Sequence, residues 1–179
     1  MLMSYRECIK KYGNQYQIDK EITSGKLFKL DVGVYSDMHV SELAVVSYKY
    51  PQAVFTMNSA FYYHALTDVI PDKYHLATLK DAHKIVNEKV KQYFLRDDKF
   101  AIGATTTKYQ NTEIRIYDRE RMLIELIRNK NSLPFDYYKE IIESYRNIAQ
   151  ELDIEKMQGY LARISKQNYI AETIQLEVF

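Results

Sequence analysis

The sequence predicts an α+β protein in which a small N-terminal winged helix-turn-helix precedes a mixed sheet domain with C-terminal helices. Two observations carry this prediction. Helix, glycine turn, helix and an alternating segment follow one another within the first 36 residues, and apolar residues recur at helical spacing through the last third. A 46% hydrophobic fraction in 179 residues supports a large core and argues against disorder. We expect two domains, 1–37 and 38–179.

Two short helices open the chain. They are expected from Ser4 to Tyr12 and from Gln15 to Ser24, because a capping residue precedes each and a glycine closes it. Residues 27–35 then alternate between polar and apolar side chains around Gly33, which indicates a β-hairpin. Helix, turn, helix and hairpin, in that order, are typical of a winged helix-turn-helix.

The remaining elements follow from periodicity and breakers. Asp118 and Asp153 are expected to cap helices of the last third, whose apolar stripes include Leu123 and Ile141. Between the hairpin and Asp118 we expect alternating helices and strands: helix 41–50, strand 53–56, helix 58–66, strand 73–78, helix 82–92, and strands 93–100, 101–107 and 113–117.

Composition excludes several classes of protein. A net charge of +1 rules out binding of nucleic acid by bulk charge alone. The lone Cys8 rules out an intramolecular disulfide and zinc sites with two or four cysteines. No signal peptide or membrane span is evident, so we expect a cytoplasmic protein. The charge is uneven: six basic and four acidic side chains give +2 over residues 1–36, and eight and four give +4 over 73–108.

The first candidate site is the second helix with its hairpin. Glutamine side chains can pair with base edges, and lysines can reach phosphates. The residues are Asn14, Gln15, Gln17, Lys20, Lys26 and Lys29. Their alternative role is a solvated face. A local charge of +2 predicts weak, salt-sensitive binding by one copy, which favours two copies on an inverted repeat.

A second group contains Ser59, His64 and Asp68. A catalytic triad is disfavoured, because five positions on one helix place Ser59 and His64 ~140° apart around its axis. We interpret Ser59 as a helix cap, His64 as a hydrogen-bonded interior histidine and Asp68 as a loop-closing residue. The four histidines lack ligand spacing, so neither a metal nor another cofactor is expected.

A third group surrounds the start of the helix at Asp118. Asp118, Glu120, Arg121 and Glu125 form either an exposed functional cluster or a cap with an Arg121–Glu125 ion pair.

Two other functions stay open. Asp72, followed by Asp97 and Lys99 on an expected strand, has the order of a Mg²⁺-dependent restriction-type nuclease. With 24 acidic residues and 17 lysines, roughly two Asp/Glu-x-Lys matches arise by chance, and the chain has one. The 17 tyrosines, including Tyr62-Tyr63 and Tyr137-Tyr138, would also suit a protein-interaction module without DNA binding, although tyrosine serves equally well in cores.

Three segments together resemble the AbiEi family of antitoxins from abortive-infection (type IV) toxin–antitoxin systems. They are Gly25-Lys26-Leu27-Phe28 through Gly33-Val34-Tyr35; Ala53-Val54-Phe55-Thr56 through Asn58-Ser59-Ala60, His64, Leu66-Thr67-Asp68 and Ile70-Pro71; and Ile116-Tyr117-Asp118-Arg119-Glu120-Arg121-Met122-Leu123 with Glu125. Their joint order covers about residues 5 to 165.

The resemblance implies a bacterial phage-defence antitoxin without catalysis. Its winged helix would repress its own operon at promoter DNA, and the larger domain would counteract a nucleotidyltransferase-like toxin without requiring a stable complex. On the matching segments, antitoxin function would involve Ser59, His64, Asp68, Asp118, Glu120 and Arg121. The chain departs from the pattern at Asp19, where an apolar residue is usual, at Glu125, where the family has Asp, and before Ser4, where the first helix is absent or reduced to a stub.

Overall fold

The computed structural model describes residues 1–179 and has the predicted α+β fold, with nine α-helices and two sheets. The chain forms two compact units. The N-terminal unit comprises Met1–Pro51 with Gln110–Glu113, and the C-terminal unit comprises Gln52–Tyr109 with Ile114–Phe179. No helix combines the length and the apolar character that crossing a bilayer requires.

The N-terminal unit begins with a strand that the sequence did not predict. Its elements are β1 (Leu2–Ser4), α1 (Tyr5–Tyr12), α2 (Gln15–Thr23), β2 (Phe28–Asp31) and β3 (Val34–Ser36). The two helices and the hairpin match the prediction. The strand order is β1-β3-β2, with both pairings antiparallel, so β1 completes a three-stranded sheet around the hairpin.

Local chemistry sets the helix boundaries in this unit. Ser4 and Glu7 form a reciprocal capping box at the start of α1. The hydrogen bonds from Ser4 lower the pKa of the Glu7 carboxyl to about 2. Gly13, whose φ is +94°, ends α1 in a conformation that residues with a Cβ seldom adopt. The core below the helices is small and consists of Met3, Cys8, Ile18, Leu27 and Tyr35.

A third helix, α3 (Glu42–Lys49), belongs to the N-terminal unit. The Lys49 ammonium lies 2.7 Å from the Asp31 carboxylate, and the Tyr48 hydroxyl donates to Glu7 at 2.9 Å. Because these contacts tie α3 to α1 and β2, the unit extends beyond the domain boundary that we predicted after residue 37.

The C-terminal unit contains a five-stranded mixed sheet. Its elements are β4 (Val54–Phe55), α4 (Met57–Tyr63), β5 (Tyr74–Leu79), β6 (Val90–Leu95), α5 (Asp97–Phe100), β7 (Ala104–Tyr109) and, from Ile114 onward, β8 (Thr112–Tyr117). The strand order is β6-β5-β4-β8-β7. β4 runs antiparallel to β5 and parallel to β8, and β5 runs parallel to β6.

Two predictions fail between β5 and β7. The expected helix 82–92 is an irregular connection leading into β6. Its residues cross back along the sheet, because parallel neighbours must be joined end to start. The expected strand 93–100 ends at Leu95, and Asp97–Phe100 is a helical turn with acidic residues at its start.

Four helices complete the C-terminal unit: α6 (Arg119–Arg128), α7 (Phe135–Asn147), α8 (Ile154–Leu161) and α9 (Gln167–Glu177). Asp118 caps α6 and Asp153 caps α8, as predicted. The sequence did not predict α9. α6 packs against α4, α8 and α9, so its first turn lies among buried side chains from several elements.

Candidate nucleic-acid interface and the buried motif of α6

The candidate interface is the exposed side of α2. Ile18 is fully buried in the unit's core, whereas Tyr16, Asp19 and Lys20 are exposed. The apolar position therefore shifts by one residue relative to a regular helix-turn-helix, and Asp19 falls on the solvent side. This shift explains the departure at Asp19 without a defect in packing.

The polar residues at the start of α2 already have partners. The Asn14 side chain accepts from the Gln17 amide at 3.0 Å, which confirms the predicted cap. Gln15 donates its side-chain amide to the Asp19 carboxylate at 2.7 Å. The half-buried Gln17 side chain makes no hydrogen bond in the structure, so of the two glutamines it is the unengaged one.

The predicted phosphate-contacting lysines have no acidic partner. Lys20, Lys26 and Lys29 are exposed and make no ion pair. Lys11 and Lys49 of the same unit do pair, with Asp37 and Asp31. A lysine without an acidic partner can bind an anionic ligand without first giving up an ion pair. The second helix and the hairpin can therefore offer three lysines to phosphates.

Two exposed side chains of this unit were not predicted from the sequence. Tyr16 is 73% exposed on the first turn of α2, and Val32 is 81% exposed at the hairpin turn. Tyr16 lies outside the apolar stripe formed by Ile18 and Ile22. From that position in the sequence, its exposure to solvent could have been predicted. Aromatic and apolar side chains at such positions can stack on or contact bases.

The motif at the start of α6 is buried. The Asp118 carboxylate accepts from the Arg121 amide at 2.8 Å and from the Tyr160 hydroxyl at 2.7 Å, and it lies 2.9 Å from the Lys156 ammonium. Both of its oxygens are therefore engaged. Burial and the hydrogen bond to Asp118 raise the pKa of Tyr160 to about 12, so the phenol stays a donor.

Arg121 is the largest fully buried side chain, with no exposed surface. Its guanidinium donates to Glu125 at 2.6 Å and to the Lys99 carbonyl at 3.2 Å, and it lies over the Tyr117 ring. The buried Nε has no partner. The predicted Arg121–Glu125 ion pair is present, but the cluster is not exposed.

Glu120 belongs to the same network of polar contacts. It accepts from the Asp153 amide at 3.0 Å and lies 3.5 Å from the Lys156 ammonium. Asp118 and Glu120 together raise the pKa of Lys156 despite its partial burial. The network fixes α6 to α8, and its acidic groups are occupied by protein donors.

Ser59 does not cap a helix, contrary to prediction. α4 begins at Met57, two residues earlier, and Ser59 lies buried within it. Its hydroxyl accepts from the His75 amide at 2.8 Å and donates to the Lys73 carbonyl at 3.4 Å. Ser59 thus joins α4 to β5, because a buried hydroxyl must find both kinds of partner.

His64 has the interior role that we predicted. Its Nε2–H donates to the Tyr117 carbonyl at 2.7 Å, and burial lowers its pKa. Asp68 does not close its loop with its side chain. The neighbouring Thr67 does so instead, donating to Glu140 at 2.6 Å and accepting from the Val69 amide.

The three residues proposed for a nuclease site lie on a short helix and in a loop. Asp97 and Lys99 lie on the short helix α5 rather than on a strand, and Asp72 is exposed in the loop before β5. The Lys99 carbonyl is engaged by Arg121. No three His, Cys, Asp or Glu side chains converge in a way that could hold a metal ion.

A buried polar pair, unnoticed in the sequence, joins β5 and β6. The Tyr93 hydroxyl and Nδ1 of His75 share a hydrogen bond of 2.9 Å, with the two rings in contact. Burial, with the nearby Lys91 charge, lowers the pKa of His75 to about 4, and burial raises the pKa of Tyr93 to about 12. Both groups are therefore neutral across the physiological range.

Comparison with known proteins adds no relative to this picture. The chain matches no protein-family model, and no curated protein matches it.

Proposed function

We propose that the chain is a cytoplasmic antitoxin of a type IV abortive-infection system, which represses its own operon by binding promoter DNA. One observation supports this most. α2 and the adjoining hairpin present Lys20, Lys26 and Lys29 without an acidic partner, in a unit of three helices and a three-stranded sheet. The sequence resemblance supplies the system in which such a unit would act.

In this proposal α2 enters the major groove. Gln17 and Tyr16 reach base edges from its first turn, while Gln15 must first exchange its bond to Asp19 for one to a base. Lys26 and Lys29, beside and on β2, contact the flanking phosphates. Three lysines on so small a unit give weak binding, which two copies on an inverted repeat would strengthen.

The C-terminal unit would counteract a nucleotidyltransferase-like toxin. Because Asp118, Glu120 and Arg121 are engaged inside the protein, their part in this role is to hold α6 in place. The exposed surface around them, rather than the motif itself, would carry any contact.

Fluorescence anisotropy of the labelled upstream DNA tests the repressor role. At about 50 mM salt we expect binding at micromolar protein or tighter, and at least tenfold weaker binding by a Lys20→Glu/Lys26→Glu/Lys29→Glu variant. Lys139→Glu is the matched control, since Lys139 is also exposed and unpaired but lies on α7. No binding, or equal loss in the control, would overturn the proposal.

A growth assay tests the antitoxin role separately. Co-expression with the neighbouring nucleotidyltransferase-like gene product should restore growth, and the triple lysine variant should restore it as well when expressed from a foreign promoter. Failure of the wild-type chain to rescue would remove the antitoxin role and leave a DNA-binding protein.

A further inference from the structure

Asp19 is an acidic side chain on the exposed face of α2. It lies one helical turn after Tyr16, which is 73% exposed, and one turn before the exposed Thr23. The neighbouring Ile18, in contrast, is fully buried. A carboxylate on a face that approaches DNA is repelled by the phosphates, so it opposes binding unless a donor on a base edge accepts its charge.

One oxygen of the Asp19 carboxylate is engaged and the other is not. Oδ1 accepts from the Gln15 side-chain amide at 2.7 Å, and Asp19 makes no ion pair. Because the two residues are four positions apart on one helix, this bond also orients the carboxylate. The Oδ2 oxygen is therefore an oriented acceptor on an exposed side chain.

A carboxylate oxygen is complementary to one base edge in the major groove. Cytosine presents only its N4 amino donor there, whereas guanine presents two acceptors, thymine an acceptor and a methyl group, and adenine a donor beside an acceptor. An ionised carboxylate has no donor, so it is attracted by the cytosine edge and repelled by the acceptors of the other bases.

We propose that Asp19 selects a cytosine in each half-site of the operator. This inference rests on the proposed DNA-binding role of α2 and adds a base preference to it. The Oδ2 oxygen can accept from the cytosine amino group while Gln15 holds Oδ1, so this contact does not require the exchange that Gln15 must make to reach a base itself. The departure from the family pattern at Asp19 would then determine sequence specificity.

Selection by the full chain from a library of duplexes with about 20 random base pairs tests the proposal. Wild type should retain duplexes with cytosine at one fixed position of each half-site, and any other base there should weaken binding about fivefold or more. Asp19→Ala should bind all four bases at that position within about twofold of one another, because the selecting acceptor is gone. Asp19→Asn should shift the preference to adenine, since an amide pairs with the adenine N6 and N7.

Glu21→Gln is the matched control, since it removes a carboxylate from the half-buried side of the same helix. It should keep the cytosine preference of wild type. Retained duplexes without a cytosine preference, or a preference that Asp19→Ala keeps, would overturn this inference and leave the DNA-binding role standing. If wild type retains no duplex, the inference and the DNA-binding role fail together.

Discussion

Arg121 at the start of α6 and Lys26 beside the hairpin carry the same charge in opposite surroundings. Arg121 is fully buried and bonded to Glu125 and the Lys99 carbonyl, whereas Lys26 is exposed and makes no ion pair. A charge enclosed by its own partners can stabilise a fold, while one without partners is available to a ligand. Arg121 therefore belongs to the framework of the fold and Lys26 to the proposed contact surface, although both lie in segments of the same family resemblance.

Removing the Arg121 side chain should have the largest effect on stability. Arg121→Ala leaves a cavity and a partly buried Glu125 with one fewer donor, so the free energy of unfolding should fall by about 3–5 kcal/mol. Arg128→Ala is the matched control, since Arg128 bonds the same Glu125 oxygen at 2.8 Å from an exposed position and should cost less than about 1 kcal/mol. Equal shifts in urea midpoint would contradict the framework role.

Features that depend on neighbouring residues were predicted from the sequence, whereas features that depend on distant contacts were not. Ser4, Asn14, Asp118 and Asp153 were predicted as caps because capping is decided within four residues. The burial of Arg121 depends on the Lys99 carbonyl, 22 residues earlier in the chain, and no local pattern contains that contact.

The failed helix 82–92 has a similar cause. Ile85, Lys89 and Tyr93 have helical spacing, but pairing with β5 takes Val90–Leu95 into a sheet, and tertiary pairing outweighs a weak local preference. β1 escaped prediction because a three-residue strand is too short to show a period, and its pairing with β3 is what defines it.

His75 provides the next largest expected effect and depends on pH. Burial lowers its pKa from 6.5 to about 4, so the folded state favours the neutral ring. The resulting stability is complete above pH 6.5 and is lost as the pH falls toward 4, a change of about 3 kcal/mol. Urea unfolding of His75→Gln between pH 7 and 4 should show a correspondingly smaller acid loss than wild type.

The exposed His83 supplies the control for that titration. His83→Gln should keep the acid loss of the wild-type protein, because the ring of His83 is solvated in the connection before β6. An unchanged pH profile in the His75 variant would show that protonation of His75 does not cause the acid loss.

Two glycines with the same backbone conformation sharpen the comparison further. Gly103 and Gly33 have φ of +73° and +74°, but a Cβ on Gly103 would lie 2.5 Å from the Arg121 Cβ, and one on Gly33 would meet open space. Gly33→Ala should cost about 1 kcal/mol from backbone strain, and Gly103→Ala about 2 kcal/mol more from the added clash. Thermal unfolding of both variants measures the difference, and equal losses would mean that the Arg121 site can relax.

The salt dependence of operator binding tests the central claim most directly. If α2 and the hairpin hold DNA through unpaired lysines, the slope of log K against log salt should fall in magnitude by about 0.9 for each phosphate contact removed. Lys20→Gln/Lys26→Gln/Lys29→Gln should therefore flatten the slope by about 2 to 3, while Lys139→Gln leaves it unchanged. A slope that is the same in wild type and triple variant would contradict the assignment of this face as the DNA-binding surface.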